Sequence, residues 1–163
     1  MRNSDIIQQK IFILPDLLKQ INRWRLMNKT ISFTNGCFDI LHKGHIFSLS
    51  QAASEADFLI VGVNADASVK KLKGENRPIN NGQSRAFLLA SLLMVDVVII
   101  FEEDTPLNLI NAILPDVLVK GGDYSIDEIV GAKEVIANGG KVVINPILQG
   151  FSTTALLEKI HRL

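Results

Sequence analysis

The chain has 163 residues, 47% of them apolar and 21% charged, with 17 basic residues matched by 17 acidic ones. That length fits one domain with a core of its own, and the even charge argues against a surface built to coat a nucleic-acid backbone, so no nucleic-acid partner is expected. The single cysteine, Cys37, excludes an intrachain disulfide and a cysteine-rich zinc site and suits a reducing, cytoplasmic setting.

The N-terminus, MRNSDIIQQK, lacks the apolar core of a signal peptide. Leu14, Leu17, Leu18, Ile21 and Trp24 recur at helical spacing, with Pro15 suited to a first turn. Residues 1–28 are therefore expected to be a helical extension packed on a domain spanning 29–163. Thr30 to Thr34 reads as the first strand, followed by a glycine-containing loop and a helix from Gly44 to Glu55. Phe58 to Val63, apolar almost throughout, reads as a strand buried on both faces. A short helix near Asp66 to Lys71 leads into a polar loop, Lys73 to Gln83. The stretch from Ala86 to Phe101, interrupted by Ser91 and Asp96, is too short to span a membrane. It reads as a buried helix (Ser84 to Met94) running into a strand (Val97 to Phe101), and no membrane partner is expected. Thr105 and Pro106 suit the N-cap and first position of a helix that ends before Pro115. Val117 to Val119 is the fourth strand, a helix is expected from Asp127 to Asn138 with Gly139 as its stop, Lys141 to Asn145 is the fifth strand, and a last helix begins near Ser152.

Strands alternating with helices predict an α/β fold: a Rossmann-like, doubly wound parallel sheet of about five strands with helices on both faces. Ligands in such sheets sit beyond the carboxyl ends of the strands, where strand order reverses. That rule points to the loops after Thr34, Val63, Phe101, Val119 and Asn145. The dinucleotide fingerprint, the P-loop and the metalloprotease histidine motif are all missing.

The informative string is Phe33-Thr34-Asn35-Gly36-Cys37-Phe38-Asp39-Ile40-Leu41-His42-Lys43-Gly44-His45, between the first strand and the first sheet-flanking helix. His42 and His45 can share one face of the helix start, beside unpaired backbone N–H groups and the positive end of the helix dipole. Gly44 between them allows a ligand close to the backbone, and Gly36 is expected to let the chain turn tightly off the strand. Two imidazoles beside free amides make a receptor for phosphate. A second run, Ser152-Thr153-Thr154, places hydroxyls at a helix start, where they can cap the helix and hold phosphate oxygens.

The segment Gly36 to His45 resembles the G-x-F-D-x-x-H-x-G-H signature of the cytidylyltransferase-like nucleotidyltransferase superfamily, and Gly150 to Thr154 resembles its C-terminal serine/threonine motif. Between them the chain is similar to the D-glycero-β-D-manno-heptose 1-phosphate adenylyltransferases in Val61 to Val69, Leu72 to Gly74, Arg77 to Asn80, Asp104 to Pro106 and Pro115 to Tyr124. The likeness runs over about residues 30 to 160. It implies adenylyl transfer from ATP to the heptose 1-phosphate, giving ADP-heptose and pyrophosphate for lipopolysaccharide or other surface-glycan assembly. It further implies ATP and a sugar 1-phosphate as partners, a homodimer and a separate heptose kinase, while the chemistry calls for Mg²⁺ on the ATP phosphates, with no side-chain ligand assigned and Asp39 suited equally to contacting it or to orienting a loop amide. The rival expectations are a cytidylyltransferase acting on glycerol 3-phosphate or another phospho-alcohol, and a nucleotide-binding regulatory module without turnover. The stretch Pro146 to Gly150 lacks the arginine that some related cytidylyltransferases place ahead of the serine/threonine run.

His42, His45 and Lys120 are the expected catalytic groups. Thr34, Asn35, Gly36, Cys37, Phe38, Asp39, Gly44, Ser152, Thr153 and Thr154 are expected around the nucleotide and its phosphates. Asn64, Asp66, Lys73, Arg77, Arg85, Gly122 and Asp123 are candidate substrate contacts. Transfer of this kind needs positioning and charge neutralisation more than covalent chemistry, so Cys37 is read as a packed side chain, not a nucleophile. Trp24 is read as core, and Tyr124 as more suited to packing than to stacking on a base.

Overall fold

The computed structural model describes residues 4–162 of the chain. Its strands are β1 (Ile11–Phe12), β2 (Ile31–Gly36), β3 (Phe58–Asn64), β4 (Val97–Phe101), β5 (Val117–Gly121) and β6 (Lys141–Asn145). They form one six-stranded sheet in the order β1-β4-β3-β2-β5-β6, and every pairing is parallel. The helices are α1 (Leu14–Leu26), α2 (Lys43–Ala53), α3 (Asp66–Lys73), α4 (Gly82–Ala90), α5 (Leu107–Ile113), α6 (Ala132–Ala137) and α7 (Thr153–His161). None of the described helices is long and apolar enough to cross a membrane.

Apolar residues along the central strands alternate between two buried layers, as the two-residue period of a strand requires. On one face Phe33, Ile60, Ile99 and Leu118 pack with Leu17, Ile21 and Trp24 of α1, Ile110 and Ile113 of α5 and Val135 of α6. On the other, Val61, Val63, Val98 and Val119 pack with Leu49 and Ala52 of α2 and Ala86, Leu89 and Ala90 of α4. Trp24 stacks on Phe58 at 4.0 Å between ring centroids, so it is a core residue. The apolar run over Ala86 to Phe101 is a buried helix leading into a buried strand, as its composition predicts.

Three expectations about elements are corrected. The sheet has six strands because β1, only two residues long, pairs with the edge of β4 (Ile11 with Val98, Phe12 with Ile99). Its apolar residues run directly into the pattern of α1, which hides it. The helix expected over Asp127 to Asn138 is broken: a 3-10 turn at Ile126–Glu128 precedes α6, and Gly131 between them has φ +86°. A Cβ at Gly131 would lie 2.6 Å from Ile110 Cδ1, so packing as well as backbone conformation demands glycine there. Thr105 is not a helix cap either, because Pro106 holds the N-cap position of α5 without a capping side chain.

Carboxylates close the amino end of the sheet. Asp116 accepts the Ile31 N–H at 2.7 Å, Asp96 the Leu59 N–H at 2.8 Å, and Asp57 the Thr30 N–H at 2.9 Å. The carboxyl end is arranged differently. Strands step from β2 through β3 to β4 on one side, and the chain then crosses back to lay β5 and β6 on the other. The reversal leaves a crevice between the carboxyl ends of β2 and β5, where open parallel sheets take their ligands.

Candidate active site

At that crevice lies a cleft of about 620 Å³. Its floor is the end of β2 and the loop into α2, contributing Asn35, Gly36, Cys37, Phe38, Asp39, His42 and His45. One wall follows from β3 and β4 and carries Asn64, Leu72, Lys73, Arg77, Asp104, Thr105 and Pro106. The opposite wall follows from β5 and β6 and carries Lys120, Tyr124, Val130, Phe151, Ser152, Thr153 and Thr154. The two motifs singled out from sequence, more than a hundred residues apart, thus border one space.

The chain leaves β2 by a sharp turn whose left-handed residue is Phe38 (φ 48°), not the expected Gly36. Gly36 serves a different end: a Cβ there would sit 3.1 Å from Cε2 of the Phe38 ring. The glycine makes room for that ring, which is 9% exposed and meets the edge of His45 at 5.3 Å.

His42 is the N-cap of α2, and its Nδ1 accepts the His45 backbone N–H at 3.4 Å. The same N–H also donates to the His42 carbonyl at 2.9 Å, and the shared contact favours the tautomer with the proton on Nε2. The two imidazoles stack, with centroids 3.8 Å apart and planes inclined by 20°. Gly44 sits beneath the contact: a Cβ there would fall 3.0 Å from His42 Nδ1 and 3.2 Å from Phe151 Cβ. Burial lowers the pKa of His42, and burial together with neighbouring His42 brings that of His45 down to about 4. At neutral pH both rings are uncharged donors. His45 Nδ1 is buried and makes no hydrogen bond of good geometry among the described residues, although the Ile40 backbone lies near enough to the ring to favour its protonated form. An unsatisfied buried nitrogen is costly in a finished core and ordinary where a ligand is to be met.

Ser152 caps α7, its Oγ accepting the Ala155 N–H at 3.0 Å, so the hydroxyl run does open a helix at the cleft. Lys120 ends β5 with its Nζ 5.8 Å from the centre of the Tyr124 ring, and burial pushes its pKa below the usual lysine range. Burial raises the Cys37 thiol pKa against the pull of Lys73, Arg85 and Arg77, so the thiol stays protonated at neutral pH.

Several expected contacts lie elsewhere. Arg85 is fully buried and spends its guanidinium on the carbonyls of Asn80 (3.0 Å), Cys37 (2.6 Å) and Asn64 (2.7 Å) and on Asp66 Oδ1 (2.7 Å). It is a bracket under the cleft, not a substrate contact, and Asp66 is its counter-charge. Thr34 is buried within β2, and Gly122 and Asp123 do not border the cleft. Gly44 acts through the His42 ring it supports. Asn64 reaches the cleft edge while its amide donates to Ser68 Oγ at 3.1 Å. Leu72, Tyr124, Val130 and Phe151 are not among the expected site residues, and Phe151 gives no signal of its own. Asp104 to Pro106 lie in the loop after β4, to which the strand-end rule points without naming the residues.

The chemistry of the donor set bears on Mg²⁺. Among the described residues no cluster of histidine, cysteine, aspartate and glutamate side chains could hold a metal ion. The two carboxylates at the cleft are already engaged, Asp39 by Arg77, Ile79 and Asn80, and Asp104 by Lys71 at 2.8 Å. These residues do not fit a metal held by protein side chains.

Comparison with known proteins agrees with this geometry. The family model described as cytidylyltransferase-like matches residues 33–159. The bifunctional protein HldE of Nitrobacter winogradskyi is 58% identical over 144 residues, covering 88% of this chain and 30% of that protein. HldE of Koribacter versatilis is 53% identical over 156 residues, covering 96% and 32% respectively. The chain thus spans about a third of the length of these curated relatives. Among solved structures, the lipopolysaccharide core biosynthesis protein of Thermoplasma volcanium is 30% identical at a TM-score of 0.60, with 74% of this chain and 97% of that one covered. The pantoate–β-alanine ligase of Francisella tularensis, at 19% identity and a TM-score of 0.52 over 90% of this chain and 76% of that one, shares the fold.

Proposed function

Since the chain belongs to the cytidylyltransferase-like family, we propose that it transfers the adenylyl group of ATP to D-glycero-β-D-manno-heptose 1-phosphate, releasing pyrophosphate and forming ADP-heptose for lipopolysaccharide or related surface-glycan assembly. The observation that carries this reading is the stacked, uncharged His42–His45 pair at the start of α2, facing the same cleft as the hydroxyls that open α7. The likeness to HldE proteins and to a lipopolysaccharide core biosynthesis protein supports the choice of sugar. In this reading residues 29–163 carry the transferase site, with β1 and α1 completing its sheet and core.

The sugar phosphate oxygen attacks the α-phosphorus of ATP in line, and pyrophosphate leaves on the far side. Nothing covalent is asked of the protein, which fits a protonated Cys37. His42 donates from Nε2 to the α-phosphate, and His45 beside it meets the charge that builds in the transition state. Ser152, Thr153 and Thr154, with the free amides opening α7, hold the β- and γ-phosphates. Lys120, partly desolvated, adds positive charge where water screens it least. Mg²⁺ arriving with the triphosphate would supply charge neutralisation, and no side chain among the described residues is assigned to hold it. This reading divides the cleft, with the nucleotide along the wall from β5 and β6, where the hydroxyl run opens α7, and the acceptor along the wall from β3 and β4. A sugar kinase activity supplies the heptose 1-phosphate.

The test is pyrophosphate release from the purified chain over a grid of nucleoside triphosphates and acceptors. ATP with heptose 1-phosphate should be the fastest combination. Turnover with CTP and glycerol 3-phosphate in its place would move the chain to the cytidylyltransferases, and ATP binding without release from any acceptor would make it a regulatory module.

A further inference from the structure

The loop into α2 and the loop between α3 and α4 are fastened together by one buried carboxylate. Asp39 is 2% exposed. Its Oδ2 accepts Arg77 Nε at 2.5 Å, and its Oδ1 accepts the backbone N–H groups of Ile79 at 2.7 Å and Asn80 at 2.9 Å. The Asn80 side-chain amide returns a bond to the Asp39 carbonyl at 2.7 Å. A carboxylate with three donors on two oxygens is largely satisfied. Burial alone would raise its pKa, but the Asn80 and Ile79 amides and the Arg77 guanidinium hold it below the usual aspartate range.

The consequence lies at Arg77. Its inner nitrogen is spent on Asp39, and among the described residues nothing pairs with its two outer nitrogens. The Arg77 side chain is 15% exposed and borders the cleft beside Lys73. A guanidinium pinned at Nε is a planar fork with its rotation removed, which is the geometry that binds a phosphate at two points. The other described carboxylate bordering the cleft, Asp104, is paired with Lys71, so it does not compete for the fork.

We infer that Asp39 is a positioning residue that aims Arg77 at the phosphate of the acceptor, and so ties the acceptor's site to the loop that carries His42 three residues on. This rests on the adenylyltransferase reading above and adds to it a receptor for the sugar phosphate. The substitution Asp39→Asn separates aiming from loop folding. The amide it introduces can still accept from the two backbone N–H groups through its oxygen, while its NH₂ group then faces Arg77 Nε, donor against donor.

The experiment compares wild type, Asp39→Asn, Arg77→Gln and the double variant in steady-state pyrophosphate release, each substrate varied in turn. Each single variant should raise the KM for the sugar phosphate roughly 10- to 100-fold, as expected for hydrogen bonds to a charged group, with the KM for ATP within about threefold of wild type. The double variant should be no worse than the poorer single one, because both substitutions remove one interaction. Equal rises in the two KM values, or independent and multiplying effects, would overturn the assignment. Failure of the activity reading shows separately, as wild-type protein that releases no pyrophosphate from any acceptor. The pairing is then decided by the Arg77 Nε–H signal in side-chain ¹⁵N spectra during titration with inorganic phosphate. The signal should shift on titration in wild type and lose its distinct position in Asp39→Asn. A signal that ignores both phosphate and the substitution rejects the proposal.

Discussion

His42 and His45 lie face to face, 3.8 Å between ring centroids, with the first ring anchored by the backbone N–H of the second. Like-charged imidazolium rings could not hold this stack comfortably, so it is an arrangement for two neutral rings, and the lowered pKa values say the same. A phosphate arriving beside the pair changes the balance, because its negative charge favours a protonated donor. The pair is built to gain positive character as negative charge develops on the substrate.

His45→Ala should therefore lower kcat by roughly 10² to 10⁴, equivalent to about 3 to 5 kcal/mol of transition-state stabilisation. The KM for ATP should move far less. Near-normal turnover in a folded variant, measured by pyrophosphate release, would remove His45 from the mechanism.

The same histidine makes stability depend on pH. Its pKa is about 4 in the folded protein against 6.5 for the free side chain. Below pH 6.5 the unfolded chain binds a proton that the folded one refuses, so stability is complete above that value and falls as pH drops through the window toward 4. The loss is at most about 3 kcal/mol. Denaturant melts between pH 7 and 4 should show it, and His45→Gln should flatten the slope. A wild-type profile no steeper than that of the variant would mean that His45 is not held neutral.

Gly44→Ala separates activity from stability. Alanine suits a helix better than glycine by up to about 1 kcal/mol, so α2 itself should not suffer. The new methyl would press on His42 Nδ1 at 3.0 Å and Cε1 at 3.1 Å, and the ring must shift by a few tenths of an ångström. A displacement of the donor in a site that works by positioning should reduce kcat about 10- to 100-fold with an unchanged melting temperature. Full activity would show that the His42 ring needs no fixed seat.

Cys37→Ser should keep most of the activity. The thiol sits in the floor of the cleft, but burial outweighs three nearby cations and keeps it protonated. Complete inactivation of a folded serine variant would restore the thiol to the chemistry.

The parallel sheet was legible because strand runs alternate with helical ones and Phe58 to Val63 is apolar on both faces, and the cleft because the strand-end rule needs only the order of elements. What stayed hidden was decided by distant partners. Gly131 breaks a helix through its contact with Ile110, which lies in another helix. Phe38 takes the turn expected of Gly36, and the glycine instead makes room for the Phe38 ring. By sequence Asp39 suits a metal or a loop equally, and only the approach of Arg77 and Asn80, about forty residues on, assigns its oxygens. Arg85 misleads for a related reason. A cation near a helix start lies against the dipole and calls for a ligand or a carboxylate; here the carboxylate is Asp66, and the remaining partners are carbonyls from three separate segments.

Arg85 consequently carries the sharpest stability prediction. Its guanidinium joins the loop before α2 (Cys37), the end of β3 (Asn64) and the loop before α4 (Asn80), with Asp66 balancing the charge. Arg85→Met matches much of its bulk but leaves three carbonyls without their donor and Asp66 without its cation. Removing one member of a buried charged network costs about 3 to 5 kcal/mol, which for a chain of this size lowers Tm by roughly 10 °C. Arg85→Lys should rescue little, since one ammonium cannot span carbonyls that a planar fork reaches from three nitrogens. The three joined segments border the cleft, so whatever activity survives at low temperature should be impaired toward both substrates together. An unchanged Tm with a raised KM for one substrate alone would return Arg85 to the ligand-binding groups.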